Sequence, residues 1–259
     1  MRLLLVRHGE TVDNVAGVYA GITDSALTAH GALQAGRLGA HLAARFPSGS
    51  VRAVFTSDLQ RARRTGGAVR AACSSRAGGS LPPAPPLHTT PLLRERDFGA
   101  LEGVPFRAAG LRVDDVAESE ASMRARAARF LDEMLLPLVR RRGARADDVY
   151  VVVAHGLLLP RIYADLMDRV PWGRLTLDPA AAAAGRAPPL QPWWSNTAYL
   201  ECLLVPDLAT GGRGLRMHVL AVNCTAHLRD LKRTRGGIGS AAHDEKQRSI
   251  ESYFGGRKM

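Results

Sequence analysis

Met1-Arg-Leu-Leu-Leu-Val-Arg7-His8-Gly9-Glu10-Thr11 opens the chain, with Asn14 just beyond. The run Leu3 to Val6 is apolar at every position, which predicts a strand buried on both faces, as in a parallel sheet. It breaks straight into a cation, an imidazole and a glycine. Arg7 and His8 therefore fall at the carboxyl end of a strand, the edge where open α/β sheets hold their ligands. The residue types suit phosphoryl chemistry. A neutral imidazole can attack phosphorus and carry the group covalently, and guanidinium forks can hold the oxygens and the charge that develops on them. Gly9 leaves room for the backbone to approach an oxyanion, and Thr11 and Asn14 offer short polar contacts.

Outward from this stretch, strand and helix signals alternate. Thr28 reads as the N-cap of a helix running to Phe46, with Leu33, Leu38 and Leu42 at helical spacing. Val51 to Thr56 is a second buried strand, and Ser57 opens a helix that carries Arg61. Ser, Gly and Pro dominate residues 74–87, a surface loop, before a strand from His88 to Leu93. A long helix spans Glu118 to Arg142, with Met123, Phe130, Met134 and Leu138 inward and Pro137 as a kink point. Val149 to Ala154 is another buried strand, followed by a helix over Leu157–Met167. Residues 171–192 read as an excursion over the surface, and Thr197–Val205 and Leu215–Val222 as a closing hairpin near Gly211-Gly212. The alternation predicts an α/β fold, a three-layer sandwich with a mostly parallel central sheet flanked by helices.

At 259 residues and 46% hydrophobic, the chain can bury one full core. Its net charge of +11 comes from arginines scattered along Ala-rich helices, with no basic stripe interleaved with aromatics. That argues against direct nucleic-acid binding, whereas a positive potential suits an anionic substrate. Cys73, Cys202 and Cys224 form no CxxC pair, which fits a reducing compartment and neither a disulfide framework nor a zinc site. No apolar run approaches the roughly 18 residues a bilayer span needs, and the first six are too short for a signal peptide. The expected setting is cytoplasmic, without membrane partners.

Three later blocks echo the first. They are Ser57-Asp-Leu-Gln-Arg61-Ala62, Leu93-Arg-Glu95-Arg-Asp-Phe-Gly99-Ala-Leu-Glu102-Gly103, and Val151-Val-Val-Ala-His155-Gly156, a second His-Gly after a second buried strand. In this order and spacing the set resembles the histidine phosphatase superfamily, the phosphoglycerate mutase-like proteins, over residues 1–231.

The resemblance implies a role for each matching residue. His8 would be the nucleophile, Arg7 and Arg61 the phosphate clamp, and His155 the second imidazole on the phosphoryl oxygens. Glu95 stands at the proton-donor position that an alkoxide leaving group requires. Asn14, Glu102, Asn196 and Thr197 match further substrate- or phosphate-contact positions, and the start of the Arg61 helix adds free amides that favour an anion. No metal or other cofactor is implied, because arginine and imidazole supply the positive charge. Mutases of the family carry a long insertion after the Glu block, but here about 14 residues, Val104 to Ala117, precede the next helix signal. The short cap, the Glu102-Gly103 pair and the ending with Asn223 and His227-Leu228 look more like the fructose-2,6-bisphosphatase-like glycolysis-regulator branch. The expectation is a phosphatase of small phosphomonoesters, sugar phosphates among them. A cofactor-dependent phosphoglycerate mutase and a clamp-binding adaptor with a weakly active pocket stay open as alternatives.

From Lys232 the composition changes. Residues 232–259 hold seven Lys/Arg against three acids and few apolar groups, so a basic tail, disordered when free, is expected. Within it Gln247-Arg-Ser-Ile250-Glu-Ser-Tyr253-Phe254 resembles the peptide that binds the sliding clamp PCNA. Ile250, Tyr253 and Phe254 would plug an apolar pocket and Gln247 would cap the contact. The basic Lys232-Arg-Thr-Arg run is compatible with a nuclear location as well.

Overall fold

Apolar runs without alternation do form the centre of the sheet. The computed structural model describes residues 1–74, 83–108, 112–141, 143, 145–171, 173–184, 191–211, 214–233 and 237–244. The described strands are β1 (Arg2–Arg7), β2 (Val51–Ser57), β3 (Leu87–Thr90), β4 (Val149–Ala154), β5 (Leu175–Leu177), β6 (Tyr199–Pro206) and β7 (Leu215–Cys224). They make one seven-stranded sheet in the order β3-β2-β4-β1-β6-β7-β5. β6 is antiparallel to both β1 and β7, and every other pairing is parallel. The expected α/β class holds.

The described helices are α1 (Val12–Ala16), α2 (Ala29–Arg45), α3 (Gln60–Ser74), α4 (Val113–Val116), α5 (Glu120–Phe130), α6 (Leu136–Arg140), α7 (Leu158–Asp168) and α8 (Pro179–Ala184). β1 feeds both cores. Leu3 and Leu5 join Phe130, Leu136 and Ile162 on the α5–α7 side, while Leu4 and Val6 join Leu38, Leu42 and Val69 on the α2–α3 side. All four are wholly buried, each contributing roughly 1.5–3 kcal/mol of burial free energy.

Several local readings change in the fold. Thr28 does cap α2, its hydroxyl accepting from Gly31 N at 2.9 Å. Leu33, however, points outward at 52% exposure. It lies five positions from Leu38, about 140° round the helix, so it cannot share the stripe of Leu38 and Leu42. The single long helix is interrupted: a π turn at Leu131–Leu135 separates α5 from α6. Pro137 explains the break, since it lacks an N–H and its ring crowds the carbonyl one turn back. The presumed strand 88–93 ends at Thr90 and tightens into a 3-10 turn over Pro91–Leu93. The excursion 171–192 hides β5, which is only three residues long and pairs with β7 at the sheet edge.

The chain beyond Lys232 is not all free. Ala242 bridges Thr28, Ala29 N donates to Ala241 O at 2.9 Å, and His243 N donates to Leu27 O at 2.8 Å. Arg233 adds an ion pair to Glu10. Polar ties of this kind, one of them to the open Ala29 N–H at the start of α2, are invisible to an apolar census. Gln247, Ile250, Tyr253 and Phe254 lie outside the described residues.

Candidate active site

The parallel strands deliver their carboxyl ends to one edge, and that edge gathers the expected side chains. Arg7 ends β1 and His8 follows it, His155 follows β4, Arg61 sits in the first turn of α3 after β2, and Glu95 follows β3. Because β6 runs the other way, its amino end brings Asn196 and Thr197 to the same place. Arg7, His8, Asn14, Arg61 and Glu95 line an open cleft of about 470 Å³, and His155 is fully buried behind it.

The two histidines face each other with ring centroids 5.1 Å apart. His8 Nδ1 lies 2.7 Å from Gly9 O. A carbonyl can only accept, so Nδ1 carries the proton and Nε2 keeps its lone pair. His155 is set the other way. Its Nδ1 accepts from Arg61 Nε at 3.2 Å, which leaves the proton on Nε2, and that buried atom has no partner among the described residues. Burial, reinforced by the charges of Arg61 and Arg7, holds His8 well below the ordinary histidine range. Burial does the same to His155, helped by Arg61, His8 and Arg7. Both rings are neutral at pH 7, one with a lone pair on Nε2 and the other with an N–H there.

Arg61 is almost fully buried, and each nitrogen of its guanidinium makes one hydrogen bond. Nη1 donates to Thr23 O at 2.7 Å and Nη2 to Gly21 O at 2.6 Å, while a second hydrogen remains on each. Arg7 Nη1 donates to Trp194 O at 3.0 Å, and its buried Nε is unpartnered among the described residues. Unused buried donors on Arg7 and His155 beside one lone pair are a cradle for a tetrahedral anion. Burial pulls both arginines somewhat below their usual value, with Glu95 pulling back.

Glu95 lines the cleft and is not tied up by the arginines around it. Arg94 forks onto Asp58, Arg96 pairs with Asp114, and Arg126 pairs with Glu118 while donating to the carbonyls of Leu92, Arg94 and Glu95. The Glu95 carboxylate instead accepts from Arg96 N at 2.9 Å and Leu157 N at 3.1 Å.

Three of the four minor contacts expected from the sequence take supporting roles instead. Glu102 does not line the cleft; its carboxylate accepts from Ile22 N and Thr23 N, each at 2.8 Å, and from the Thr23 hydroxyl. It thereby pins the loop whose carbonyls hold Arg61, a better use for a carboxylate than facing a phosphate that would repel it. Gly21, at φ +50, belongs to this device: a Cβ there would sit 1.9 Å from Glu102 Oε1. Thr197 is fully buried at φ +56, its N–H donates to Arg7 O at 3.0 Å, and its hydroxyl lies 2.9 Å from His227 Nε2. Asn196 Nδ2 donates to His8 O at 3.2 Å and to Asn14 Oδ1 at 3.1 Å. Of the minor set only Asn14 lines the cleft, with its oxygen occupied and its Nδ2 as the donating end.

Two backbone expectations also change. Gly9 serves close packing, since a Cβ there would meet Gly31 O at 2.6 Å. The start of α3 is not open to an anion, because Gln60 N donates to Asp24 Oδ1 at 2.6 Å and Leu59 N to Ser57 Oγ at 3.2 Å.

Sequence reasoning missed the aromatic lining. Tyr19, Phe98, Phe106, Trp193 and Trp194 all line the cleft, five of only fourteen Phe, Trp and Tyr in the chain. The Pro192-Trp193-Trp194 run just before the Asn196-Thr197 match was the available signal. Among the described residues, no cluster of three or more His, Cys, Asp or Glu is placed to hold a metal ion, and no helix is long and apolar enough to cross a membrane.

A neutral imidazole with a free lone pair, a paired imidazole donor, two buried guanidiniums and a carboxyl, all at the carboxyl edge of a parallel sheet, make an arrangement chemically able to hold and transfer a phosphoryl group. The sequence profile of the histidine phosphatase superfamily (branch 1) matches residues 3–183, and the chain belongs to that family. It stands with the phosphoric monoester hydrolases there. A protein of Schizosaccharomyces pombe named a probable phosphatase is 31% identical over 96% of this chain and 78% of its own length. A probable phosphoglycerate mutase of Klebsiella pneumoniae is 29% identical over 62% of this chain and 65% of its own. Among solved structures, a mycobacterial glucosyl-3-phosphoglycerate phosphatase covers 86% of this chain and 98% of its own at TM-score 0.61 and 22% identity, a likeness of fold.

Proposed function

We propose that the protein is a metal-independent phosphatase of small phosphomonoesters that works through a phosphohistidine at His8. The opposite tautomers of His8 and His155 carry this reading, because they put one lone pair and one N–H beside two arginines. In the first step His8 Nε2 attacks phosphorus, the P–O bond to the alcohol breaks, and protonated Glu95 gives its proton to the leaving oxygen. In the second, Glu95 takes a proton from water, the hydroxide oxygen bonds to phosphorus, and the P–N bond breaks to free His8 and phosphate. Arg7, Arg61 and the His155 Nε2–H hold the three equatorial oxygens throughout.

The resemblance to the fructose-2,6-bisphosphatase-like branch makes sugar phosphates one substrate class to test, and the relatives named as mutases support a phosphoglycerate mutase as the second reading. Phosphate release without added metal should be measured across fructose-2,6-bisphosphate, 3-phosphoglycerate and neutral phosphomonoesters, with wild type and His8→Ala side by side. His8-dependent release supports the phosphatase; conversion of 3-phosphoglycerate into its isomer without phosphate release supports the mutase. The tail motif supports a cytoplasmic and nuclear protein tethered to the sliding clamp. Binding to PCNA that survives Tyr253→Ala with Phe254→Ala would remove that part of the proposal.

A further inference from the structure

Beyond the phosphate cradle the cleft is apolar. Tyr19 stands between two rings, 4.6 Å from Phe98 and 4.8 Å edge-on from Phe106. Leu157, Pro160 and Trp193 supply further apolar lining. Phe106 and Leu157 are large apolar side chains left 53% and 44% exposed in a chain that can bury a full core. Their surroundings hold them there. Phe106 N donates to Gly17 O at 3.0 Å, and Leu157 N donates to Glu95. An exposed apolar patch that adjoins a catalytic constellation marks a binding surface.

The charges argue the same way. Among the described residues the cations lining the cleft are Arg7 and Arg61, and both belong to the phosphate cradle. Four arginines of neighbouring segments are paired, Arg94 with Asp58, Arg96 with Asp114, Arg126 with Glu118 and Arg161 with Glu120, and Arg107, beside Phe106, is exposed and outside the lining. A second phosphate or a carboxylate on the substrate would find no counter-charge in this lining and would share the cleft with Glu95. A flat apolar group would find aromatic faces at the distances rings prefer for stacking. At about 470 Å³ the cleft has room for such a group beside the phosphate.

We infer that the substrate is the phosphomonoester of an alcohol with an aromatic or extended apolar body and no second anionic group. This rests on the phosphatase reading above. The test compares kcat/KM for 2-phenylethyl phosphate, ethyl phosphate, 3-phosphoglycerate and fructose-2,6-bisphosphate. Phenylethyl and ethyl phosphate both release a primary aliphatic alcohol, so leaving-group reactivity does not decide between them. The expected order puts 2-phenylethyl phosphate about tenfold or more above ethyl phosphate, with both anionic esters lower still. Phe106→Ser and, separately, Leu157→Ser should cut the phenylethyl-to-ethyl ratio by about tenfold. Preference for either anionic ester, or a ratio unchanged in both variants, overturns this inference and leaves the phosphatase standing. No His8-dependent release from any ester overturns both.

Discussion

His8 and His155 sit in the same local sequence, an apolar strand followed by His-Gly, on neighbouring parallel strands paired Arg7 to Ala154. They differ in what their Nδ1 atoms meet. His8 Nδ1 meets the carbonyl of the next residue, so its own chain turn sets the tautomer. His155 Nδ1 meets Arg61, which arrives from α3 and is itself fixed by the carbonyls of Gly21 and Thr23, a loop that Glu102 holds. One histidine is prepared locally. The other depends on three segments far apart in sequence. Identical motifs thus acquire complementary chemistry from the donor or acceptor that the fold places against one nitrogen.

That contrast can be broken most directly at His8, the proposed nucleophile. His8→Ala should lower kcat by roughly 10⁴ or more and abolish acid-labile labelling of the protein by phosphorylated substrate. Its unfolding midpoint should stay near wild type, because the ring lies beyond the end of β1. Residual turnover of a few per cent would move the nucleophile elsewhere. His155→Ala should cost less, about 10²–10³ in kcat, and should still form the labelled intermediate, since a donor and not the attacking atom is lost. ¹⁵N shifts of the two rings should report protonated Nδ1 for His8 and protonated Nε2 for His155; the same tautomer at both would undo the comparison.

Stability against pH tests the shared property, neutrality. Below about pH 6.5 unfolded histidines take up protons, while buried His8 and His155 stay neutral to well below that value. His227, pushed by burial down to about 4, behaves alike. The unfolded state therefore binds more protons, and stability is full above about pH 6.5 and falls as pH drops. Each such group contributes a slope of up to about 1.4 kcal/mol per pH unit. Unfolding titrations between pH 7.5 and 5 should show this, and a stability that rises toward pH 5 would mean a charged native histidine.

The smallest effect is expected from the tail. Arg233 pairs with Glu10, two residues after His8, while Glu10 accepts from the Thr28 hydroxyl and its N–H donates to Gln34. The pair is part-exposed, so Arg233→Ala should lower kcat about two- to fivefold, with Arg233→Lys recovering most of it. An unchanged kcat in Arg233→Ala would limit the tail to a passive docking.

Much of this protein was legible in its residues. Strands β1 and β4 were readable because a strand buried on both faces must be apolar along its centre, β2 from its Ala53–Phe55 core although Arg52 is exposed, and the ends of those runs located Arg7, His8, Arg61 and His155. Short elements escaped: β5 has three residues, too few for a period, and the π turn came from Pro137 acting on carbonyls earlier in the helix. Glu102, Asn196 and Thr197 matched contact positions, yet a residue type cannot say whether its polar atoms face a ligand or a loop. That depends on which other elements occupy its hydrogen bonds. Residue types and their periodicity were enough for the sheet, the edge that carries the candidate site and the kinds of group gathered there, because burial and residue chemistry are local properties. The tertiary structure alone decided the tautomer of His155, the use of Glu102 as a brace, and the aromatic wall of Tyr19, Phe98, Phe106 and Trp193. Each of these is a relation between segments distant along the chain, and only folding sets such distances.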